Sequence, residues 1–336
     1  MTTRMLRQLR PLAVLALGAF LGAASAHADG RQPGSLLVFP VFQCERGVDT
    51  LITVTNANPD LTGAAVRVHF VYVSGDPSTL CEPSNRYEVL TPQDTISVIA
   101  SLHVAHGYSQ GWVYAHSVDS TGRAISYNHL IGDEVVINGE LTTDFALAPF
   151  AFRAIPDQGL FTDLEAPAGD GVLDLNGLEY EQAPDTILIP RFMGQSNEYQ
   201  SELVLLNLTG GARFTANVNY LVFNDNEVPL SATNSFQCWA RVPLTQISGG
   251  VTNSFLQSTN DAANEIIGSN TRESGWILLQ GVNAQVVPGG TLIPDPAILA
   301  VLIEKTGSKV GAELPFLQGT QPRGDILPQG TTWDGD

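Results

Sequence analysis

The sequence predicts an all-β protein made of two tandem antiparallel β-sandwich domains of immunoglobulin-like architecture, related by internal duplication. Three observations predict this class. Apolar and polar residues alternate in many short runs, as they do in half-buried strands. Pro, Gly, Asn and Asp separate these runs, and helical patterns are scarce. Finally, one series of strand-like segments occurs twice along the 336 residues.

The repeat is seen in four pairs of matching segments. They are 35–42 and 185–192, 50–56 and 201–207, 66–73 and 216–223, and 111–114 and 275–278. A unit of this length is a domain, larger than the modules of a solenoid. Each copy has about seven or eight candidate strands, near the number in one immunoglobulin-like sandwich. The Cys…Trp…Cys spacing of true immunoglobulin domains is absent, so the similarity is one of architecture only.

Individual strands follow from the two-residue period. In segment 66–73 the even-numbered residues form one apolar face, and the odd-numbered residues, which include Arg67 and His69, form the other. The turn sequence DSTG at 119–122 lies between two alternating runs. It predicts a hairpin in which the run before the turn pairs with the run after it.

These patterns divide the chain into five parts. They are a signal peptide (1–28), a first β-sandwich domain (29–152), an acidic interdomain connector (153–184), a second β-sandwich domain (185–318) and a flexible C-terminal tail (319–336).

The first part has the features of an export signal. Three arginines precede an uncharged apolar run from Pro11 to Ala24, and small residues follow at the positions of a cleavage site. The run is shorter than the roughly 20 residues that span a bilayer. We therefore expect an exported protein, periplasmic or extracellular, with no transmembrane segment after signal cleavage.

The charge of the chain limits its partners. The net charge is −18, and loss of the three signal arginines makes it −21. Nucleic acids and anionic membranes repel such a chain. The expected partner is an extracellular protein or a glycan, and no nucleic acid.

Three cysteines cannot all pair within one exported chain. Cys44 and Cys81 both lie in loops of the first copy, which predicts a disulfide between them. Cys238 is then the odd thiol.

One motif indicates catalysis. Gly107-Tyr-Ser-Gln-Gly111 resembles the nucleophile elbow of cutinase-type hydrolases. The resemblance implies that Ser109 is a nucleophile, and Asp119 and His129 follow in the chain order of such a triad. An elbow needs a helix after the serine, whereas a strand-like run follows here. Gly111 also recurs as Gly275, which indicates a structural role at a strand entry.

Two motifs indicate metals. His103 and His106 have a spacing that can supply two zinc ligands. In the connector, Asp170, Asp174, Asn176 and Glu181 match positions one, five, seven and twelve of a calcium-binding loop. That loop departs from the EF-hand pattern at positions three and six. A solvated acidic linker is the alternative, and no other cofactor is expected.

Tryptophans offer a further interpretation. Trp112 and Trp276 occupy the same place in both copies, which predicts two core residues, with a repeated sugar-stacking platform as the alternative. Trp239 and Tyr108 lie in irregular segments and are predicted at the surface.

Neither copy holds a consistent set of acid, base and nucleophile. The sequence therefore predicts an exported, non-catalytic protein for extracellular or envelope binding or adhesion. A serine esterase that uses Ser109 is the alternative.

Overall fold

The computed structural model describes residues 32–140, 143–164, 169, 171–196, 198–209, 214–224, 228–252, 256, 273–286 and 292–326. The protein is all-β and its sheets are antiparallel, as the alternating patterns predict. The predicted signal peptide lies outside the described residues.

The first copy folds into two sheets. Its elements are β1 (Leu36–Gln43), β2 (Val48–Asn56), β3 (Val66–Ser74), β4 (Pro83–Leu90), β5 (Thr95–Ile99), α1 (Ala100–His103), β6 (Gln110–Val118), β7 (Leu130–Asn138), β8 (Thr143–Leu147) and β9 (Phe150–Phe152). Sheet I has the order β5-β2-β7-β8, and sheet II has the order β4-β3-β6-β1-β9.

The connector and the second copy follow. Their elements are β10 (Leu173–Asp174), β11 (Thr186–Met193), β12 (Tyr199–Asn207), β13 (Phe214–Phe223), β14 (Pro229–Gln237), β15 (Trp239–Pro243), α2 (Leu244–Ile247), a 3-10 turn (Gly249–Val251), β16 (Ser274–Val286), β17 (Leu292–Pro294), β18 (Ile298–Thr306), β19 (Lys309–Glu313), β20 (Phe316–Gln318) and β21 (Asp325–Ile326). Sheet III has the order β15-β12-β18-β19. Sheet IV has the order β14-β13-β16-β11-β20, with β17 beside β16, and β10 pairs with β21.

The two copies share one topology. Each strand of sheet II has its counterpart at the same place in sheet IV, and the same holds for sheets I and III. Even an irregularity recurs: the register shifts between Phe39 and Phe42 in β1, and between Ile189 and Phe192 in β11. A proline lies inside both irregular segments, where a missing backbone N–H is tolerated.

The strand order departs from that of an immunoglobulin domain. There the first, second, fourth and fifth strands share one sheet. Here β1, β3, β4 and β6 share sheet II, whereas β2, β5 and β7 share sheet I. The finer prediction of two immunoglobulin-like sandwiches is thus not met in strand order. Alternation predicts which face of a strand is buried, but it does not choose the neighbouring strand.

Three large cores lie between the sheets. The first core contains residues of sheets I and II, such as Ile52 and Phe70. The third core contains residues of sheets III and IV, such as Leu203 and Tyr220. The second core combines the outer faces of sheets II and III with the connector. This second core joins the two copies into one packed body.

The described parts of the connector and tail are folded. Tyr180 of the connector is fully buried, and Leu173 and Leu175 belong to the second core. In the segment predicted as a flexible tail, Gln321 bonds to the Ala183 backbone and Ile326 is buried. Within residues 319–326, Gln321, Gly324, Asp325 and Ile326 are therefore buried, whereas residues 327–336 lie outside the described part.

The predicted Cys44–Cys81 disulfide is wrong. Cys81 pairs with Cys238, with their Cα atoms 6.0 Å apart, and Cys44 is free. The prediction assumed that a disulfide stays within one copy. The second core instead brings the loop after β3 against the turn between β14 and β15.

The hairpin predicted around residues 119–122 forms only as a single bridge across the turn. β6 pairs with β1 and β3, and only Val118 and Ala124 form a bridge across the turn. Long-range partners on both sides of β6 therefore replace the local strand partner.

Candidate functional site on the outer face of sheet II

The serine motif does not form a nucleophile elbow. Ser109 precedes a strand, β6, and its hydroxyl and backbone N–H both donate to the carboxylate of Asp76, the N–H at 2.7 Å. His129 instead contacts Gln158, 3.4 Å from Nε2 to Oε1. Asp119 accepts hydrogen bonds from the backbone of its own turn. Ser109, His129 and Asp119 are therefore not assembled into a triad.

Gly111 has a structural role that the repeat predicts. A Cβ atom at Gly111 would meet the backbone of Val73, and one at Gly275 would meet the backbone of Phe223. Both glycines thus allow β6 and β16 to approach the neighbouring strand closely.

The predicted zinc histidines have other partners. His103 Nδ1 lies 2.7 Å from the hydroxyl of Tyr72, and its Nε2 lies 3.4 Å from Glu88. His106 packs near the ring of Tyr108. Within the described ranges, no three His, Cys, Asp or Glu side chains are grouped as metal ligands.

The calcium loop is described only in part, because Asp170 lies outside the described residues. Asn176 accepts from the backbone N–H groups of its own turn, and Glu181 accepts from the Arg153 N–H at 3.2 Å. Asp174 is buried in the short β10 strand. Calcium binding here stays a prediction.

Two residues predicted at the surface are buried. Tyr108 is 5% exposed and Trp239 is 4% exposed. The Trp239 indole donates to the carbonyl of Pro40 at 2.9 Å, and a Cβ at Gly75 would collide with its ring. Trp239 thus fills a notch between the copies, because the second core covers the turn that carries it.

Two histidines that the sequence did not connect meet on the outer face of sheet II. The register of β3 and β6 sets His69 opposite His116. His69 Nδ1 lies 3.1 Å from His116 Nε2, and His69 Nε2 lies 2.8 Å from Asn85 Oδ1. The three side chains form one hydrogen-bonded row across three neighbouring strands.

Proton positions in this row follow from the orientation of Asn85. With the amide oxygen assigned to face His69, His69 Nε2 donates its proton to Asn85. His69 Nδ1 then accepts from His116 Nε2–H, and His116 Nδ1 keeps a lone pair. That nitrogen is buried and has no hydrogen-bonding partner of normal geometry.

Both imidazoles are neutral at pH 7. Burial lowers the pKa of His116 to about 3, and the neighbouring His69 lowers it further, while the Ser117 backbone opposes both effects. Burial also lowers the pKa of His69, which its hydrogen bond to Asn85 opposes. The pair therefore offers hydrogen-bonding groups without charge.

Stacked side chains extend this row into a ladder. Its members are Arg67, Tyr87, His69, His116, Tyr114 and Trp112. The rings of Tyr87 and His69 are stacked with their centres 4.2 Å apart. The guanidinium carbon of Arg67 lies 4.0 Å from the centre of the Tyr87 ring. The ladder fixes the orientation of both imidazoles.

A cavity of about 520 Å³ lies beside the ladder. Its walls are His69, His116, Asn85 and Tyr114 on one side, and the turn after β6 and the connector on the other. Its volume falls within the range of roughly 300–1,000 Å³ of small-molecule sites.

Among the described residues of the cavity wall, the two charged side chains already have protein contacts. The Arg123 guanidinium lies 3.5 Å from the centre of the Phe161 ring. Asp163 accepts from the backbone N–H groups of Gly169 and Gly171, at 2.6 and 3.1 Å. The remaining polar lining that the structure describes is neutral and therefore suits an uncharged, hydrogen-bonding ligand.

A more open cleft of about 800 Å³ lies beyond the turn at 119–122. Its lining includes Val66, Val89 and Ile125. It is mainly apolar and holds no imidazole.

The second copy lacks the imidazole pair. Asn219 and Gln280 are paired there at the positions of His69 and His116. The available sequence signal was that all the histidines of the folded part lie in the first copy and that His69 is on the outer face. The predicted partner strand of β6 was wrong, so His116 was not predicted to lie opposite His69.

No protein family, curated protein or solved structure matches the chain. Among the described residues, no helix has the length and apolar character needed to cross a membrane.

Proposed function

We propose that this chain is an exported, non-catalytic binding protein of the periplasm or the extracellular space. We further propose that each copy is a β-sandwich in the broad sense, since two sheets of each copy face each other across one core. The ligand site is the cavity beside His69 and His116. The ligand is small and uncharged, with hydroxyl or amide groups, as in one unit of a neutral glycan.

One observation carries this proposal. His116 lines the cavity, is buried, and has a nitrogen without a hydrogen-bonding partner of normal geometry. An unpaired buried acceptor costs free energy unless a ligand or water satisfies it. A hydroxyl or amide N–H of a ligand supplies the missing donor.

The charge of the chain and the geometry of Ser109 agree with this function. A net charge of −18 disfavours anionic ligands. The esterase alternative loses support because Ser109 bonds to Asp76, and its predicted partners His129 and Asp119 bond elsewhere.

The test uses residues that the second copy already has at the same positions. His69→Asn with His116→Gln gives the first copy the pair found at Asn219 and Gln280. A panel of neutral mono- and disaccharides is titrated while tryptophan fluorescence is recorded, since Trp112 ends the ladder. We expect saturable binding by the wild type and at least a ten-fold loss of affinity (about 1.4 kcal/mol) in the double variant.

The matched control is Asn219→Ala with Gln280→Ala, which changes the same positions in the second copy. This control should retain wild-type affinity. Equal affinity in the His69/His116 variant and the wild type contradicts the proposed site. Ester hydrolysis that disappears in Ser109→Ala contradicts the non-catalytic assignment.

A further inference from the structure

Among the described residues, the outer face of sheet IV is apolar at one end, and its outward positions in register with a neighbouring strand carry no charge. Its outward apolar residues are Leu188, Leu221, Phe223, Trp276, Leu278 and Phe316. The first five are half-buried, and Phe316 is 55% exposed. Phe223 and Trp276 stack with ring centres 4.1 Å apart. None of these residues belongs to a core of the described structure.

The other described outward positions in register with a neighbouring strand are uncharged. They include Thr186, Thr215, Asn217, Asn219, Pro229, Ser231, Thr233, Ser235, Gln237, Gln280, Asn283, Gln285 and Gln318. Arg191, in the irregular segment of β11, forms an ion pair with Glu304 of sheet III. The absence of charge from the described in-register positions is unusual on a chain of net charge −18. An exposed apolar patch with a polar rim is typical of a protein interface.

The internal repeat shows what this face does elsewhere in the same molecule. Trp276 corresponds to Trp112, and Phe223 corresponds to Val73, by their registers with the neighbouring strands. Trp112 and Val73 are buried in the second core, against sheet III and the connector. The face thus serves sheet-on-sheet packing in the first copy, and its counterpart in sheet IV keeps apolar residues that no other described residues cover in a core.

Head-to-tail stacking of chains does not explain the patch. It would place sheet IV against sheet I of another chain, in the way that sheet II meets sheet III. The apolar residues Val204 and Val301 of sheet III correspond to Thr53 and Asp133 in sheet I. Sheet I therefore lacks the apolar surface of sheet III. A symmetric contact needs only one self-complementary patch.

The size of the face suits a dimer. Five strands at about 4.8 Å and strands of about nine residues at about 3.4 Å give a face of roughly 24 by 30 Å. That area is close to the ~800 Å² per partner of a standard interface. Because the described in-register positions of the face carry no charge, two strongly acidic chains can meet there without facing like charges.

We propose that two copies of this chain associate through the outer faces of sheet IV, in a two-fold symmetric dimer centred on Trp276, Leu221 and Leu278. This contact lies on a different sheet from the cavity beside His69.

Sedimentation velocity of the mature chain over a wide concentration range tests this dimer. The wild type is expected at twice the mass of one chain. Leu278→Glu brings two like charges together across the two-fold axis, and the expected result is the mass of one chain. Phe316→Glu, at an exposed position of the same face, is a second disrupting variant that keeps the test valid if Leu278→Glu misfolds, as judged by circular dichroism.

The matched control is Ile131→Glu, which adds the same charge to sheet I at a position that is 41% exposed. It should retain the mass of the dimer. A wild type that stays at the mass of one chain at every concentration overturns the proposal. So does a dimer that survives both Leu278→Glu and Phe316→Glu. A single-chain mass combined with binding to an insoluble neutral polysaccharide that Leu278→Glu abolishes would assign the face to a glycan instead.

Discussion

Sheets II and IV have the same strand order, but they have different surroundings. The outer face of sheet II is covered by the connector and the other copy, and it carries the buried row of His69, His116 and Asn85. The outer face of sheet IV has Asn219 and Gln280 at the histidine positions, and its apolar residues are half-buried or, at Phe316, exposed. The comparison shows that the two copies keep one strand topology and differ on their outer faces.

The largest expected effect comes from breaking the contact that distinguishes the two faces. Trp239→Ala empties the notch between the copies and should cost about 3–5 kcal/mol of unfolding free energy. Trp276→Ala, on the face that is open in a single chain, should cost about 1 kcal/mol at concentrations where the chain is monomeric, because less apolar area is lost there. Urea unfolding of both variants measures the difference, and equal losses would contradict a covered sheet II and an open sheet IV.

The covalent link between the copies has the next largest effect. Cys238→Ser should lower the unfolding free energy by about 2–5 kcal/mol, since the disulfide closes a long loop.

Burial raises the pKa of Cys44 to about 12, so this thiol stays protonated. Because Cys81 and Cys238 are paired, Cys44→Ser should have no free thiol in the oxidised, denatured protein, whereas the wild type has one. Thiol titration that finds none in the wild type would contradict the assigned pairing.

A buried carboxyl group gives a third difference between the copies. Glu134 is fully buried, and neither oxygen has a partner of normal geometry, whereas Leu302 occupies its place in the second copy. Burial raises the pKa of Glu134 well above its ordinary value, and the Val41 backbone opposes this only in part. Glu134→Leu should stabilise the protein by about 1–3 kcal/mol at pH 7.

The pH dependence checks the cause of this effect. A raised pKa in the folded state gives stability that is present below the unfolded value of 4.5 and is lost as pH rises. The advantage of Glu134→Leu should therefore shrink at pH 4. The converse variant, Leu302→Glu, should destabilise the protein more at pH 7 than at pH 4. If the stability difference between the wild type and Glu134→Leu were the same at both pH values, a buried, protonated Glu134 would be refuted.

The histidine pair is expected to produce an effect that appears only as the pH falls below 6.5. The pKa of His116 is lowered to about 3 in the folded state, against 6.5 in the unfolded chain. The unfolded chain therefore takes up a proton first, so stability is present above pH 6.5 and falls as pH drops toward 3. His69→Asn with His116→Gln should remove roughly 1–3 kcal/mol of this fall between pH 6.5 and pH 4. His106→Gln, at an exposed position, is the control and should keep the wild-type slope.

Local patterns predicted much of the fold. The even-numbered residues of 66–73 do line the first core, and the odd-numbered Val71 and Val73 do face outward into the second. Gly111 and Gly275 share the role that the repeat implies. Each of these features depends on the two-residue period or on the comparison of two copies, both of which are visible in the sequence.

Long-range partners could not be predicted in the same way. The Cys81–Cys238 pair, the burial of Trp239 and the His69–His116 contact all depend on which sheets meet and which strands are neighbours. Alternation fixes the face of a residue but not the strand opposite it. The contact between His69 and His116 was therefore not predicted, although both residues are present in the sequence.

The Cys81–Cys238 disulfide spans 157 residues of sequence and encloses the connector. A protease that cuts the connector once would not separate the two halves, because the disulfide still joins them. The cleaved protein would migrate as one species on a non-reducing gel and as two fragments after reduction. Exposure to a protease that cuts the connector would thus convert one chain into two without releasing either half.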